Sequence, residues 1–112
     1  MLKKNYEFKN VLSKGKYYRG QQIDVFIKKN NKDVNKFGIA VSKKVGNSVT
    51  RNRIKRLIRA NCDILFKDVE KGNDFIILWK KKISGKEANF YIIQNDIKEI
   101  LKNADILKRG EK

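Results

Sequence analysis

Phe8, Val11 and Leu12 recur three and four residues apart, and Gly15 suits the position after a helix end, so the spacing predicts a short first helix from Asn5 to Ser13. From Gln22 to Lys28 the pattern changes to strict alternation. Ile23, Val25 and Ile27 point one way and Asp24, Phe26 and Lys28 the other, as in a half-buried strand. Asn30 to Asp33 forms a polar turn into a second strand over Lys36 to Lys43, with Phe37, Ile39 and Val41 on one face. Its other face carries only Gly38, Ala40 and Ser42, which leaves room for a groove. The longest periodic segment runs from Ser48 to Phe66, where Ile54, Leu57, Ile58, Cys62 and Leu65 fall on one helical face. Phe75 to Trp79 is continuously apolar and reads as a central strand covered on both faces. A last helix carries Phe90, Ile93, Ile97, Ile100, Leu101 and Ala104, and starts either at Ser84 with Glu87 as a capping box or at Asn89. A layered α+β domain follows.

The 112 residues suit a single domain spanning 1–112, and 40% hydrophobic and 10% aromatic content suffices for one core. Against 12 acidic residues stand 28 basic ones, a net charge of +16, so the chain repels itself unless something anionic is near. A polyanionic partner is expected. With no histidine the chain lacks the usual neutral-pH general base and the commonest metal ligand, which argues against a catalytic triad or a zinc site. Cys62 is the sole cysteine, so no internal disulfide forms, and its place on the apolar side of its helix marks a small core residue. No stretch approaches the roughly 18 apolar residues of a spanning helix, and the expected location is cytoplasmic.

Charge is unevenly placed. Between Val34 and Cys62 there is no acid, yet Lys36, Lys43, Lys44, Arg51, Arg53, Lys55, Arg56 and Arg59 all fall there. An ordinary solvated helix pairs Glu with Lys one turn on, and none is available here. Arg51 and Arg53 also sit in the opening turns, where the helix dipole makes an added cation unfavourable by about 0.3 to 1 kcal/mol. Helix-start N–H groups, the dipole and Lys43 with Lys44 just upstream all favour a phosphate at that point. Asn52, Arg56 and Arg59 point away from the apolar stripe, while Arg51 and Arg53 flank it on opposite sides. Three rows of donors on one helix suit folded RNA better than a small phosphate ligand.

Phe26 is an aromatic on the polar face of its strand. It is either a core residue under the first helix with Phe8, or, if the groove beside Gly38, Ala40 and Ser42 stays open, a platform on which Phe26 and Phe8 stack unpaired bases. Lys16, Tyr17, Tyr18 and Arg19 mix aromatic and basic side chains in the same way, with the roles of Tyr17 and Tyr18 open.

The run from Phe37 to Arg59, with Lys43-Lys44-Val45-Gly46-Asn47-Ser48-Val49 leading into Arg51-Asn52-Arg53 and then Ile54-Lys55-Arg56-Leu57-Ile58-Arg59, closely resembles the protein subunits of bacterial ribonuclease P. The likeness in element order extends from Phe8 to about Leu101. It implies an α+β fold, a two-layer α/β sandwich in the order αβββαβα, with a left-handed βαβ crossover against the usual right-handed rule. It also implies an accessory role in an endoribonuclease whose RNA component removes the 5′ leader from precursor tRNA, with no catalytic residue in the protein.

Carried over from that family, Arg51, Asn52, Arg53, Lys55, Arg56 and Arg59 contact the catalytic RNA, with Lys43 and Lys44 as neighbours. Phe8 and Phe26 match the aromatic positions of the cleft that holds the leader. Leu12 stands where the family often has another aromatic, and Lys16 falls near the cleft rim. Mg²⁺ is expected to be held mainly by the RNA and the substrate. Neither a membrane nor a dinucleotide is an expected partner. Two rivals compete with this reading. A ribosomal or other structural RNA-binding protein would share the charge and size. A protein-only nuclease would need clustered acids, and Asp63, Asp68, Glu70 and Asp74 have no ligand-like pattern.

Overall fold

The computed structural model describes residues 5–108. Helix α1 (Asn5–Lys14) leads into β1 (Lys16–Arg19), β2 (Ile23–Lys29) and β3 (Lys36–Ala40). A 3₁₀ turn at Lys43–Val45 precedes α2 (Ser48–Leu65), and β4 (Asn73–Trp79) and α3 (Phe90–Ala104) complete the order αβββαβα. Boundaries follow local chemistry. The Gly15 N–H closes α1 on the Val11 carbonyl at 2.7 Å. Asn47 caps α2, its side chain accepting from the Thr50 N–H. Of the two starts foreseen for the last helix, Asn89 is the one that caps α3, while Ser84 caps a separate 3₁₀ turn at Gly85–Glu87. The second strand ends at Ala40 rather than Lys43, because Ser42 caps the turn that follows. β1 carries no apolar alternation, and only its pairing with β2 makes it a strand.

The sheet order is β1-β2-β4-β3. β2 pairs antiparallel with both β1 and β4, whereas β3 runs parallel to β4. Parallel neighbours cannot be joined by a tight turn, and α2 is the crossover between them. One sheet face carries Ile23, Val25, Ile27, Phe37, Ile39, Phe75, Ile77 and Trp79, and packs with Ile54, Ile58 and Cys62 of α2 and Ile93, Ile97, Ile100 and Leu101 of α3. These two layers hold the main core. On the opposite face α1 lays Phe8 and Val11 over Phe26, Ile76 and Leu78, a smaller second core. β4 is thereby covered on both sides, as its unbroken apolar run predicts, and Phe75, Ile76 and Ile77 are all buried.

Polar groups inside the main layer set the joints. Asp96 of α3 is buried, and its carboxylate accepts from the N–H groups of Gln21 at 2.8 Å, Gln22 at 2.8 Å and Ile23 at 3.2 Å. Gly20 permits this approach, since a Cβ there would lie 2.7 Å from Asp96 Cγ. Gln22 in turn donates to the Glu87 carbonyl and accepts from the Asn89 N–H, fastening the start of α3 to the start of β2. Asn61 of α2 donates to the carbonyls of Leu57 and Phe90, tying α2 to α3.

Asp96→Ala leaves those three N–H groups, two of them buried, without an acceptor and is expected to lower unfolding stability by about 3 kcal/mol. Urea titration checks this: the midpoint should fall with the slope unchanged.

Candidate nucleic-acid interface

Because β3 and β4 are parallel, their carboxyl ends meet at one edge of the sheet, where β1 also ends and β2 begins. α2 starts from that same edge. Cations from four separate stretches therefore gather there: Arg19 at the end of β1, Lys43 and Lys44 before α2, Arg51 and Arg53 in its first turns, and Lys80, Lys81 and Lys82 after β4. The loops at the other edge carry Asp33, Asp68 and Glu70 interspersed with Lys32, Lys67 and Lys71, so that charge there largely cancels, with Asp74 near the start of β4. The field of the molecule is thus lopsided, as a surface meeting a polyanion requires.

α2 presents its donors as the helical wheel predicts. Asn52, Arg53, Arg56 and Arg59 are exposed, and Arg51 and Lys55 are half-buried. Arg51 Nε donates back to the Gly46 carbonyl at 3.2 Å and Arg53 reaches the Ala88 carbonyl at 3.5 Å, so the two diverge from the apolar stripe. Lys43 and Lys44 are exposed on the preceding turn. One N–H of the helix start is committed to the cap, Thr50 to Asn47 Oδ1 at 2.9 Å.

The outer sheet face is arranged in cross-strand rows. Lys28, Asp74 and Lys36 form one, in which Lys36 meets Glu7 of α1 at 3.4 Å and Asp74 accepts from Asn30. Tyr17, Phe26, Ile76 and Gly38 form the next, under α1. Arg19, Asp24, Leu78 and Ala40 form the third, of which Leu78 still packs on the small core. Over this third row opens a pocket of about 780 Å³ that also takes in Tyr17, Ser42 and Lys80 to Lys82.

The groove expected over Gly38, Ala40 and Ser42 is therefore half present. Phe8 fills its Gly38 end, where an added Cβ would lie 2.4 Å from Phe8 Cζ, and only the Ala40 and Ser42 end is open. Phe8 and Phe26 are partly buried in the small core, so of the two roles left open for Phe26 the geometry realises the packing one directly. Of the aromatics that line the pocket, Trp79 is buried and Tyr17 is 47% exposed, with its ring 5.2 Å from that of Phe26. Tyr18 turns to the other face and packs on the main core. Leu12 is exposed on α1. Lys16 lies on the Tyr18 side of β1, its ammonium 5.7 Å from the centre of that ring, and is not brought together with Phe26.

Asp24 and Lys80 to Lys82 are not marked as site residues by the sequence, and Arg19 is marked only through the mixed aromatic and basic run from Lys16. The triple lysine was the available signal, but its relation to the pocket depends on strand order. Cys62 is buried, and burial, with Asp63 adding and Arg59 opposing, pushes its thiol up to about 12, so it stays protonated and unreactive at neutral pH. Among the described residues no group of three or more Cys, Asp or Glu side chains comes together to hold a metal, and no helix is long and apolar enough to cross a membrane.

A basic α+β domain with an arginine-bearing crossover helix and an open pocket at the same sheet edge is, by construction, a polyanion-binding module. The family model described as Ribonuclease P matches residues 1–105. The ribonuclease P protein component of Clostridium kluyveri is 40% identical over 96% of both chains. The structure of the Staphylococcus aureus RNase P protein superposes with a TM-score of 0.80 at 34% identity, covering 96% of each chain. That of Thermotoga maritima gives 0.81 at 26% identity, covering 91% of this chain and 94% of its own. The chain belongs to the ribonuclease P protein component family.

Gly38→Val drives a branched side chain into the Phe8 ring and is expected to loosen α1 from the sheet at about 1–3 kcal/mol. Faster hydrogen exchange along α1, with the amides of α2 and α3 unchanged, checks it.

Proposed function

We propose that this chain, as a protein subunit of ribonuclease P, docks on the catalytic RNA through α2 and grips the single-stranded 5′ leader of precursor tRNA on the outer sheet face. The observation that carries this reading is the convergence of Arg19, Lys43, Lys44, Arg51, Arg53 and Lys80 to Lys82 at one sheet edge, beside a pocket with an exposed aromatic wall. Arg51, Asn52, Arg53, Lys55, Arg56, Arg59, Lys43 and Lys44 face the catalytic RNA. Phe8, Leu12 and Phe26 serve the leader, with Phe8 and Phe26 shaping the floor on which Tyr17 stands, whereas Lys16 stands on the opposite face of β1.

The protein's contribution is electrostatic. Each Arg or Lys that neutralises a phosphate releases counterions and lowers repulsion between two RNAs, which tightens substrate binding when divalent ions are scarce. Two polyanions that repel each other in the absence of the protein are then held by a third, cationic, body. Mg²⁺ does not fit a protein site here: Asp24 is engaged by Lys80 and Asp74 by Asn30, and the described residues offer no cluster of acids. The ion belongs with the RNA and substrate.

Reconstitution tests the whole reading. A bacterial ribonuclease P RNA, 5′-labelled precursor tRNA and low Mg²⁺ should give cleavage at the mature 5′ end only when RNA and protein are both present. Binding to the RNA that never activates cleavage, while another subunit activates the same RNA, would make the chain a structural RNA-binding protein instead.

Two substitutions separate the surfaces. Arg56→Ala, which disturbs no hydrogen bond of the fold, is expected to weaken binding to the catalytic RNA and reduce the slope of log K against log salt by roughly one. Phe26→Ala is expected to weaken precursor tRNA binding by the holoenzyme while leaving mature tRNA nearly unaffected, with circular dichroism confirming that α1 remains folded. An equal loss for both tRNAs would remove Phe26 from the leader surface.

A further inference from the structure

The pocket contains one group that a phosphate grip does not call for. Among its lining residues Asp24 is the sole acid, set between Arg19, its cross-strand partner, and Lys80, whose ammonium donates to Asp24 Oδ1 at 2.7 Å. A carboxylate there weakens attraction for RNA backbone. The two side chains are only 19% and 22% exposed. What the pair does provide is a carboxylate fixed in direction, mostly withdrawn from water and open to the pocket.

We infer that Asp24, held by Lys80, reads a nucleobase, selecting at one position of the bound single strand for a base that carries an amino group. An ionised carboxylate only accepts hydrogen bonds. Cytosine, adenine and guanine each offer an exocyclic amino group, whereas the single ring N–H of uracil lies between two carbonyl oxygens that the carboxylate repels. Tyr17 supplies the stacking surface. It stands in the row next to Asp24 on the same sheet face, displaced by two residues along the strand, about 7 Å, a span that one base covers. Lys81, Lys82 and Arg19 are left to meet the phosphates on either side of that base.

This inference rests on the leader reading above, and the experiment distinguishes the two. Holoenzyme is assembled on a bacterial ribonuclease P RNA, and its affinity is measured for precursor tRNAs whose all-uridine leader carries a single cytidine at each position in turn, with mature tRNA as reference. At one position cytidine should bind roughly 3- to 10-fold more tightly than uridine, the range of one hydrogen bond. Asp24→Asn keeps the shape but presents a donor as well as an acceptor, so it should bring that preference to within about 2-fold. A leader that tightens binding with no position distinguishing cytidine from uridine overturns the inference and leaves the leader reading standing. So does a preference that survives Asp24→Asn, including the case where the variant only lowers the melting temperature. Equal affinity for precursor and mature tRNA overturns both.

Discussion

The parallel pairing of β3 with β4 is the constraint on which the rest of this molecule depends. Two parallel neighbours force the chain to travel the length of the sheet between them, and α2 is that return path. The helix must begin where β3 ends, so its basic first turns are delivered to the edge where β4 also ends and Lys80 to Lys82 follow. An antiparallel β3 would need no such helix and would leave Arg51 and Lys80 without a common surface. β4 bears this arrangement because it is buried on both faces, by α2 and α3 on one side and by α1 on the other. Its continuous apolar run, from Phe75 to Trp79, serves two cores at once.

Charge repulsion shapes the outside as strongly as burial shapes the inside. With +16 to place, the fold collects many of its cations at one edge and sets acids in the loops of the other. Packing carries the concentrated field: hydrogen bonds accepted by Asp96 and donated by Gln22 and Asn61 knit hairpin, α2 and α3 together. The scaffold beneath the basic edge can therefore be rigid without placing acids on the surface that RNA is proposed to meet. Asp24, inside the pocket, and the exposed Glu87 beside the start of α2 are the exceptions.

The aromatic residues show why a groove is harder to read than a core. Alternation correctly separates the faces of β2, but whether Phe26 is a platform or a packing residue depends on where α1 comes to rest. Gly38 decides it, because the missing side chain admits Phe8 to the sheet and so closes the end of the groove that small residues seemed to leave empty. Tyr17 and Tyr18 are neighbours in the chain with opposite fates, one in the pocket and one on the main core, as alternation in a strand demands once β1 is known to be a strand. Nothing local in Lys16 to Arg19 announces that.

By itself the sequence determined every element but β1, the apolar stripe and donor rows of α2, the two-faced burial of β4, the caps at Ser84 and Asn89, and the family through the run from Phe37 to Arg59. All of these are settled by neighbours within a few residues, where periodicity and hydrogen-bond chemistry act directly. Only the tertiary structure decided that Arg19, Asp24 and Lys80 share one pocket, that Phe8 fills the Gly38 end of the groove, and that Asp96 anchors a hairpin some 70 residues away. Those depend on the strand order β1-β2-β4-β3 and on register across it, which bring together side chains that no local pattern connects.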